Sequence, residues 1–170
     1  MPDRVKEAVF NILGSHYECP GALPPLLVAD VFAGSGSMGL EALSRGAAAC
    51  CFFERDRHAL DALRDNVRAL SAESASAIIV RDAWRFAVSD TEGKSFDLVF
   101  LDPPYRDSRD ASDRGPVQRY LARLRRDVGK TPLVVLHHPS AVRYEPPLAG
   151  TWQIADHRTF GTNAITIFGP

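Results

Sequence analysis

The stretch over residues 26–39 constrains the fold more than any other part of this 170-residue chain. It begins with an apolar run of strand length that ends at Phe32, and a helical pattern follows it. Between the two stand three glycines: Gly34, Gly36 and Gly39. Strand, glycine turn and helix in this order are typical of a nucleotide-type cofactor loop, because glycines permit tight turns and let backbone N–H groups approach a ligand. Plain packing of a helix on a strand is the alternative explanation of the same spacing.

Asp30 narrows the choice of cofactor. It lies four positions before Gly34, near the carboxyl end of the predicted strand, where open α/β sheets bind ligands. A fixed carboxylate there would repel the pyrophosphate of a dinucleotide but would suit an ammonium group. S-adenosylmethionine (SAM) carries an ammonium group and no phosphate, so the sequence favours SAM over NAD. The other role open to Asp30 is that of a turn-capping carboxylate.

Length and composition favour one globular domain. The chain is 45% hydrophobic and 24% charged, which is ordinary for a soluble protein, and no apolar run approaches the ~18 residues of a membrane span. Its three cysteines show no metal-binding spacing, so we expect a reducing cytoplasm and no metal. The net charge of −1 gives no general attraction to nucleic acid, so a local basic patch would have to hold any such partner.

Alternating strand and helix patterns predict an α/β fold with a mostly parallel sheet. The pattern divides the chain into a leading helix over 1–14, a linker over 15–25 and a sheet core over 26–170. In the leading helix, Asp3 is predicted to cap the start and Gly14 to end it. Further helices are predicted from the glycine turn to about 45, over 57–70, around Trp84 and Phe86, and over 116–128. The helix over 57–70 is predicted to have Asp56 as its cap and one apolar face, formed by Leu60, Leu63, Val67 and Leu70. Strands are predicted over 26–32, 48–54, 77–80, 96–101, 133–136, 152–155 and 164–168.

The last two predicted strands have no helix between them, so we expect them to pair as an antiparallel hairpin. Four of the other strands each end in an acidic residue: Asp30, Glu54, Asp82 and Asp102. Because the carboxyl ends of parallel strands line one crevice, we expect these four side chains to converge.

Glu54 and Asp82 fit the sugar and the base of an adenosine ligand. Glu54 lies 20 residues after Gly34, where a carboxylate can accept hydrogen bonds from both ribose hydroxyls of NAD or SAM alike. Asp82 and the backbone N–H of Ala83 would lie beside the adenine. A helix N-cap explains Asp82 equally well.

The tetrapeptide Asp102-Pro103-Pro104-Tyr105 indicates the reaction. Two prolines after a buried strand fix an extended backbone and leave carbonyls free to accept. An exocyclic amine on a base is a poor nucleophile, and its methylation needs acceptors for its N–H bonds. The Asp102 carboxylate and the Pro103 carbonyl can serve, while the Tyr105 ring stacks on the base. A rigid turn with an aromatic plug is the alternative.

Two basic features could hold RNA, or could be solvated helix faces. One is the face of the 116–128 helix formed by Arg119, Arg123 and Arg126, and the other is the outer face of the first helix, with Arg4 and Lys6. The pair His137-His138 follows the fifth predicted strand. These two side chains should point to opposite faces, so we expect a structural role and no shared metal.

With these residues in place, the chain resembles the RsmD-type 16S rRNA guanine-N2 methyltransferases over nearly its whole length. The opening helix over 3–13 and the run over 39–46 are the most specific matches. The others are residues 30–36, 53–54, 102–105, 160–161 and 164–167. The resemblance implies a three-layer, Rossmann-like class I methyltransferase fold with a seven-stranded sheet. It also implies SAM as cofactor and methylation of one guanine N2 amine in 16S rRNA, free or in an assembling small ribosomal subunit.

The resemblance also implies which residues form the site. The cofactor residues would be Asp30, Phe32, Ala33, Gly34, Ser35, Gly36, Glu54, Arg55, Asp82 and Ala83, and the catalytic residues Asp102, Pro103, Pro104 and Tyr105. Family members carry a basic, glycine-containing segment before the first helix, whereas this sequence opens at Met1-Pro2-Asp3. If that segment holds RNA, we expect SAM binding to be stronger than RNA binding. Gly161-Thr162-Asn163 stands where the family pattern is Gly-Asp-Thr, so different hairpin contacts are expected.

Three alternatives stay open at this point. Asp-Pro-Pro-Tyr also serves methyltransferases that act on DNA adenine or on protein glutamine. A SAM-binding or RNA-binding assembly module without catalysis would keep the loop and lose the reaction. An NAD oxidoreductase would keep the glycine turn, but it leaves Asp30 repulsive and the tetrapeptide without a task. The rRNA methyltransferase that the resemblance implies is expected to be a cytoplasmic enzyme and to act as a monomer.

Overall fold

The computed structural model describes residues 1–85, 95–124, 128–146 and 152–170. The chain divides into two compact units, Met1–Phe86 and Ala87–Pro170. In the first unit the described elements are α1 (Asp3–His16), β1 (Leu27–Val31), α2 (Ser37–Ser44), β2 (Ala49–Glu54), α3 (Arg57–Ala69) and β3 (Ser76–Val80). Short 3₁₀ turns cover Glu73–Ala75 and Ala83–Arg85. Strand β2 pairs in parallel with both β1 and β3.

The described elements of the second unit are β4 (Phe96–Leu101), a 3₁₀ turn at Asp107–Arg109, α4 (Pro116–Leu124), β5 (Val128–Pro139), β6 (Gln153–Phe160) and β7 (Asn163–Gly169). Strand β4 runs parallel to β5, whereas β7 is antiparallel to both β5 and β6. The seven strands form one sheet in the order β3-β2-β1-β4-β5-β7-β6. The predicted fold class, a mostly parallel seven-stranded sheet with an antiparallel C-terminal hairpin, is therefore confirmed.

The first unit has an apolar core between its helices and strands. Strands β1 and β2 are almost wholly buried, whereas β3 is only half buried. Helix α2 lies so close to β2 that Gly39 has no room for a side chain. A Cβ at this position would be only 2.5 Å from Cys50 Sγ and would overlap the Phe52 ring. Gly39 therefore serves close packing, which is one of the two roles that the glycine spacing predicted.

Helix α1 departs from the prediction at both ends. Pro2 is its N-cap and Asp3 is its first helical residue, so the predicted Asp3 cap was wrong, although an acid in the first turn still favours the helix dipole. Gly14 does not end the helix, which continues to His16. Gly14 is needed for space instead, since the returning chain passes so close that an added Cβ would be 2.9 Å from the Cys19 carbonyl oxygen.

Helix α3 begins as predicted, because the Asp56 side chain accepts a hydrogen bond from the Ala59 N–H at 3.0 Å. Its apolar face is buried at Leu60, Leu63 and Val67. Leu70 was wrongly included in that face. The helix ends at Ala69, and Leu70, beyond its last turn, is 62% exposed.

Strand β5 is longer than the apolar run predicted. It includes His137 and His138, which were expected to follow it, and Val128, which was expected in the preceding helix. The reason is tertiary, since hydrogen bonding to β4 on one side and to β7 on the other extends the ladder beyond the apolar residues. Phe86 and Arg126, both named in the predictions, lie outside the described residues.

Candidate active site

The turn after β1 contains three residues with positive φ. Phe32, Gly34 and Gly36 have φ values of +65°, +57° and +84°. The two glycines face different surroundings: a Cβ at Gly34 would meet no atom within 4 Å, whereas one at Gly36 would overlap the Leu63 side chain. One face of the turn is therefore open at Gly34, and the other is packed on α3. The exposed Ser35 offers its carbonyl to the Asn66 side chain at 2.9 Å, which ties the turn to α3.

Phe32 is the one bulky residue of the turn held in the left-handed region, where a Cβ-bearing side chain is strained. Its ring packs edge-on against Trp84, with 4.7 Å between ring centroids. Backbone strain of this kind persists only where the surroundings enforce it, and it concentrates at ligand-binding turns. Phe32 is thus held in a strained conformation by its surroundings, and the cofactor roles of Phe32 and Ala33 stay predictions.

Asp30 lies inside β1 and is buried, with 2% of its surface exposed. Its Oδ2 accepts a hydrogen bond from the Gly39 N–H at 2.8 Å. Gly39 belongs to the first turn of α2, whose N-cap residue, Gly36, offers no side-chain cap. Asp30 therefore does from the strand what an N-cap side chain does from within a helix, and its charge also favours the helix N-terminus. The capping alternative for Asp30 is observed, and the structure leaves its cofactor role a prediction.

The Glu54 carboxylate is held by three backbone N–H groups. Oε2 accepts from Gly34 at 2.8 Å, and Oε1 accepts from Arg55 at 2.7 Å and from Asp56 at 2.9 Å. A carboxylate offers about four acceptor positions. The glycine turn and the end of β2 are thus fastened to one side chain, which keeps capacity for a further donor such as a ribose hydroxyl.

Asp82 follows β3 and has the capping role, one of the two that its position suggested. Its Oδ1 accepts from the Trp84 N–H at 3.1 Å, which makes it the cap of the 3₁₀ turn that begins at Ala83. Its Oδ2 pairs with the Arg55 guanidinium at 3.0 Å. Arg55 is adjacent to Glu54, so this ion pair links the ends of β2 and β3 in the first unit. Nothing in the structure tests whether adenine binds beside it.

The tetrapeptide of the second unit begins directly after β4. Asp102 is half-buried, Pro103 is buried, and Pro104 and Tyr105 are exposed. The prediction that both proline carbonyls are free was wrong for Pro104, whose oxygen accepts from the Asp107 N–H at 2.8 Å and from the Ser108 N–H at 3.2 Å. Within the described residues, no group donates a hydrogen bond to the Pro103 carbonyl.

Tyr105 presents its ring to solvent, with 46% of the residue exposed. Its hydroxyl reaches the Thr162 carbonyl at the long distance of 3.3 Å, and the Arg109 guanidinium lies 5.9 Å from its ring centroid. An exposed aromatic face beside a cation can stack a base. The stacking role predicted for Tyr105 is therefore sterically open.

His137 is the site residue that the sequence reasoning missed. Its Nδ1 lies 2.7 Å from Asp102 Oδ1, and its Nε2 lies 3.0 Å from Asn163 Oδ1. The parallel register of β4 and β5 pairs Leu101 with Leu136, so the residues that follow them, Asp102 and His137, lie side by side. The sequence does show a polar residue after each of the two apolar runs. Pairing these two residues required knowing that β4 and β5 are neighbours in the sheet.

The pKa of the Asp102 carboxyl lies below its usual value. Burial alone would raise this pKa, but the hydrogen bond and the positive charge of His137 lower it. Asp102 therefore stays ionised, and thus an acceptor only, across the neutral range.

His138 points to the opposite face from His137, as predicted. Its Nε2 lies 2.9 Å from Thr166 Oγ1, and its Nδ1 lies 3.0 Å from the Pro139 carbonyl oxygen. Burial lowers the pKa of His138 to about 4. Among the described residues, no group of three or more His, Cys, Asp or Glu side chains is arranged to hold a metal ion. In that same part of the chain, no helix combines the length and apolarity that a membrane span needs.

In each predicted basic patch, one side chain is exposed and another contacts a group of the protein itself. Arg119 is exposed on α4, whereas the Arg123 guanidinium lies 5.2 Å from the centroid of the Tyr120 ring. On α1, Arg4 is exposed and Lys6 pairs with Glu41 at 3.5 Å. RNA binding by these residues remains a prediction.

The strand order, with its antiparallel C-terminal hairpin, defines the class I methyltransferase fold. Comparison with known proteins gives the family: its model, described as "Conserved hypothetical protein 95", matches residues 1–169, and the chain belongs to it. A Bacillus subtilis protein, YlbH, provisionally named as an rRNA methyltransferase, is 29% identical over 98% of this chain and 84% of its own length.

Two further relatives are similar over different extents. Ribosomal RNA small subunit methyltransferase D of Haemophilus influenzae is 39% identical over 61% of this chain, and the match spans about half of that protein, 51%. A solved structure from Escherichia coli, yhhF, provisionally described as a methyltransferase, is 25% identical. It superposes with a TM-score of 0.74 over 98% of this chain and 84% of its own.

Proposed function

We propose that this chain is a SAM-dependent methyltransferase that methylates the exocyclic N2 amine of a guanine in small-subunit (16S) rRNA. In this proposal residues 1–170 act as one methyltransferase domain and as a monomer. The first unit binds the cofactor, and the second unit holds the amine. The observation that carries the proposal is an ionised, half-buried carboxylate, Asp102, at the head of a Pro-Pro-Tyr turn with an exposed ring.

The glycine turn fits SAM. Gly34 leaves open space where a side chain would stand, so a ligand can approach its backbone, and Glu54 keeps acceptor capacity for a ribose hydroxyl. The buried negative charge of Asp30 suits the methionine ammonium and opposes a pyrophosphate. Phe32, Ala33, Ser35, Gly36, Arg55, Asp82 and Ala83 complete the proposed cofactor site.

The rRNA substrate is supported by the names of relatives that match over most or about half of their length. The guanine N2 position is supported by the resemblance of the opening helix and of the run over 39–46. An exocyclic amine gives Asp102 a function, since amine N–H groups need acceptors and Asp102 is an acceptor that stays ionised.

The chemistry assigns one role to each residue of the tetrapeptide. When bound, SAM would supply an electrophilic methyl group and would leave as S-adenosylhomocysteine, while the amine nitrogen would gain the new N–CH₃ bond and release one proton to water. Asp102 and the Pro103 carbonyl accept hydrogen bonds from the two N–H groups of the amine. These bonds direct the nitrogen lone pair out of the ring plane and stabilise the positive charge that develops on nitrogen. Pro104 fixes the backbone through its bonds to Asp107 and Ser108, and Tyr105 stacks on the base.

The test is transfer of radiolabel from SAM to separate acceptors: purified small ribosomal subunits, free 16S rRNA, double-stranded DNA and a mixture of proteins. Each acceptor is offered to the wild type and to Asp102→Ala, with Asp110→Ala as the matched control. Asp110 is an exposed acid of the same loop whose Oδ1 accepts hydrogen bonds from the N–H and the hydroxyl of Ser112. Digestion of labelled RNA and chromatography of its nucleosides then identify the methylated base.

The expected result is label on small subunits or rRNA as N2-methylguanosine, lost in Asp102→Ala and kept in Asp110→Ala. Label on DNA or protein would replace the rRNA substrate with one of the related amines. SAM binding in calorimetry without label on any acceptor would identify a binding module. NADH binding tighter than SAM binding would overturn the cofactor.

A further inference from the structure

His137 contacts Asp102 in a way that leaves little freedom to either side chain. Its Nδ1 lies 2.7 Å from Asp102 Oδ1, and the residue is 7% exposed. An ionised carboxylate only accepts, so Nδ1 must carry a proton and donate it. Hydrogen bonds of this charge-assisted kind are short and about twice as strong as neutral ones.

The second ring nitrogen is also held. Nε2 lies 3.0 Å from the Asn163 side-chain oxygen, at the start of β7. In the antiparallel register His137 is opposite Ile165, so Asn163, two residues along, lies on the same face of the sheet. Nε2 donates to that oxygen when the ring is protonated and accepts from the amide nitrogen when the ring is neutral. In either form the imidazole is fixed at two points, and Nδ1 remains the donor to Asp102.

His138 provides an internal comparison. It is the next residue of the same strand and is also a buried histidine with partners on both nitrogens. Those partners are the Thr166 hydroxyl in β7 and the carbonyl of Pro139 in β5, and neither belongs to the tetrapeptide. Both histidines are buried in this strand, but only His137 contacts Asp102. Burial in the strand therefore does not explain that contact.

We propose that His137 is a positioning residue: held by Asn163, it donates from Nδ1 to Asp102 and fixes the orientation in which that carboxylate accepts the target amine. This role rests on the proposed function, because Asp102 needs a fixed orientation only if it contacts a substrate. A side chain that contacts a reacting group and not the substrate can orient that group, and its loss reduces activity without removing the reacting group.

The test compares three variants of His137 by steady-state kinetics with rRNA or small subunits as acceptor. The side-chain nitrogen of asparagine can occupy the position of Nδ1, whereas that of glutamine reaches the position of Nε2. His137→Asn keeps the bond to Asp102 but loses the one to Asn163, so kcat should fall only roughly three- to tenfold. His137→Gln and His137→Ala lose the bond to Asp102 and should lower kcat roughly ten- to hundredfold, the size of a lost charged hydrogen bond. The SAM dissociation constant should change less than threefold in all of them.

Two further variants separate positioning from stability. His138→Asn removes the same kind of buried ring from the same strand and should lower the thermal midpoint without changing kcat. Asn163→Ala keeps His137 but frees its Nε2, and a roughly three- to tenfold lower kcat is expected, since one neutral hydrogen bond is lost. Equal kcat for His137→Asn and His137→Gln, or wild-type kcat for His137→Ala, would overturn the role of His137.

The contact itself can be measured without substrate. Two-bond ¹H–¹⁵N spectra of histidine side chains should show His137 with a proton on Nδ1, and Asp102→Ala should shift that resonance while leaving those of His138 in place. An unshifted His137 resonance would overturn the inference. If the wild type transfers no label to any acceptor, the proposed function fails and the role of His137 with it. If it transfers label and the Asn and Gln variants match, only the role of His137 fails.

Discussion

The buried carboxylate of Asp30 accepts a hydrogen bond from the Gly39 N–H at 2.8 Å, and so joins β1 to the first turn of α2. A residue expected to serve the cofactor thus also holds the loop together. The effects of Asp30 substitutions on stability and on cofactor binding must therefore be measured separately.

Asp30→Ala should lower the free energy of unfolding by about 1–3 kcal/mol, because the Gly39 N–H loses a buried acceptor. Asp30→Asn keeps an oxygen for that bond and should cost less. If Asp30 also binds the methionine ammonium, both variants should weaken SAM binding at least tenfold, or about 1.4 kcal/mol. Chemical denaturation and calorimetry measure the two effects. Wild-type SAM affinity in Asp30→Asn would leave Asp30 with the capping role alone.

The glycines of the loop should respond differently to alanine. At Gly34 a Cβ meets open space, so Gly34→Ala should cost only the positive φ, about 1–2 kcal/mol, yet it should weaken SAM binding because the Cβ occupies the open face. At Gly39 a Cβ would overlap the Phe52 ring and lie 2.5 Å from Cys50 Sγ. Gly39→Ala should therefore lower stability more than Gly34→Ala does. The reverse order in urea denaturation would contradict the packing described for α2.

Asp102→Ala should abolish methyl transfer while SAM affinity stays within roughly tenfold, about 1.4 kcal/mol. The reason is that Asp102 belongs to the second unit and is proposed to contact the amine, not the cofactor. Single-turnover transfer and calorimetry check the two halves of this expectation. Undiminished transfer by Asp102→Ala would remove Asp102 from the catalytic role.

Tyr105 should act through its ring and not through its hydroxyl. Tyr105→Phe loses only the 3.3 Å contact with the Thr162 carbonyl and should keep RNA binding within about threefold. Tyr105→Ala loses stacking on one base, worth about 1–3 kcal/mol, so the KM for RNA should rise roughly five- to hundredfold. Binding and kinetic assays with the same RNA decide this. If the phenylalanine and alanine variants behave alike, the ring has no stacking role.

Stability should fall on mild acidification because of His138. Burial lowers its pKa to about 4 in the folded protein, and the unfolded value is about 6.5. Between these values the unfolded chain binds more protons, so the stabilising effect is complete above pH ~6.5 and is lost as the pH falls toward 4. The loss is at most about 3 kcal/mol.

His138→Asn removes the titrating ring, so its unfolding free energy should depend less steeply on pH across that window than that of the wild type. Urea denaturation at half-unit steps of pH measures the two slopes. Parallel slopes would show that His138 is not the group responsible.

Local patterns were sufficient for most of the elements. The strand bounds of β4, the Asp56 cap and the end of α2 near Gly46 each follow from interactions within a few residues, which is why they could be predicted. The ends of β5 could not be, because strands on both sides extend it. The same limit explains Pro104, whose carbonyl is used by a turn that apolar periodicity does not reveal.

The sequence by itself determined the order of strands and helices, the glycine turn and the tetrapeptide, because each is specified by neighbouring residues. Only the tertiary structure decided what these groups contact. It gave Asp30 a partner in α2, brought the Gly34 N–H to Glu54, and set His137 against Asp102. The physical reason is that such contacts depend on which strands are neighbours and in what register, and register is fixed by packing of the whole sheet.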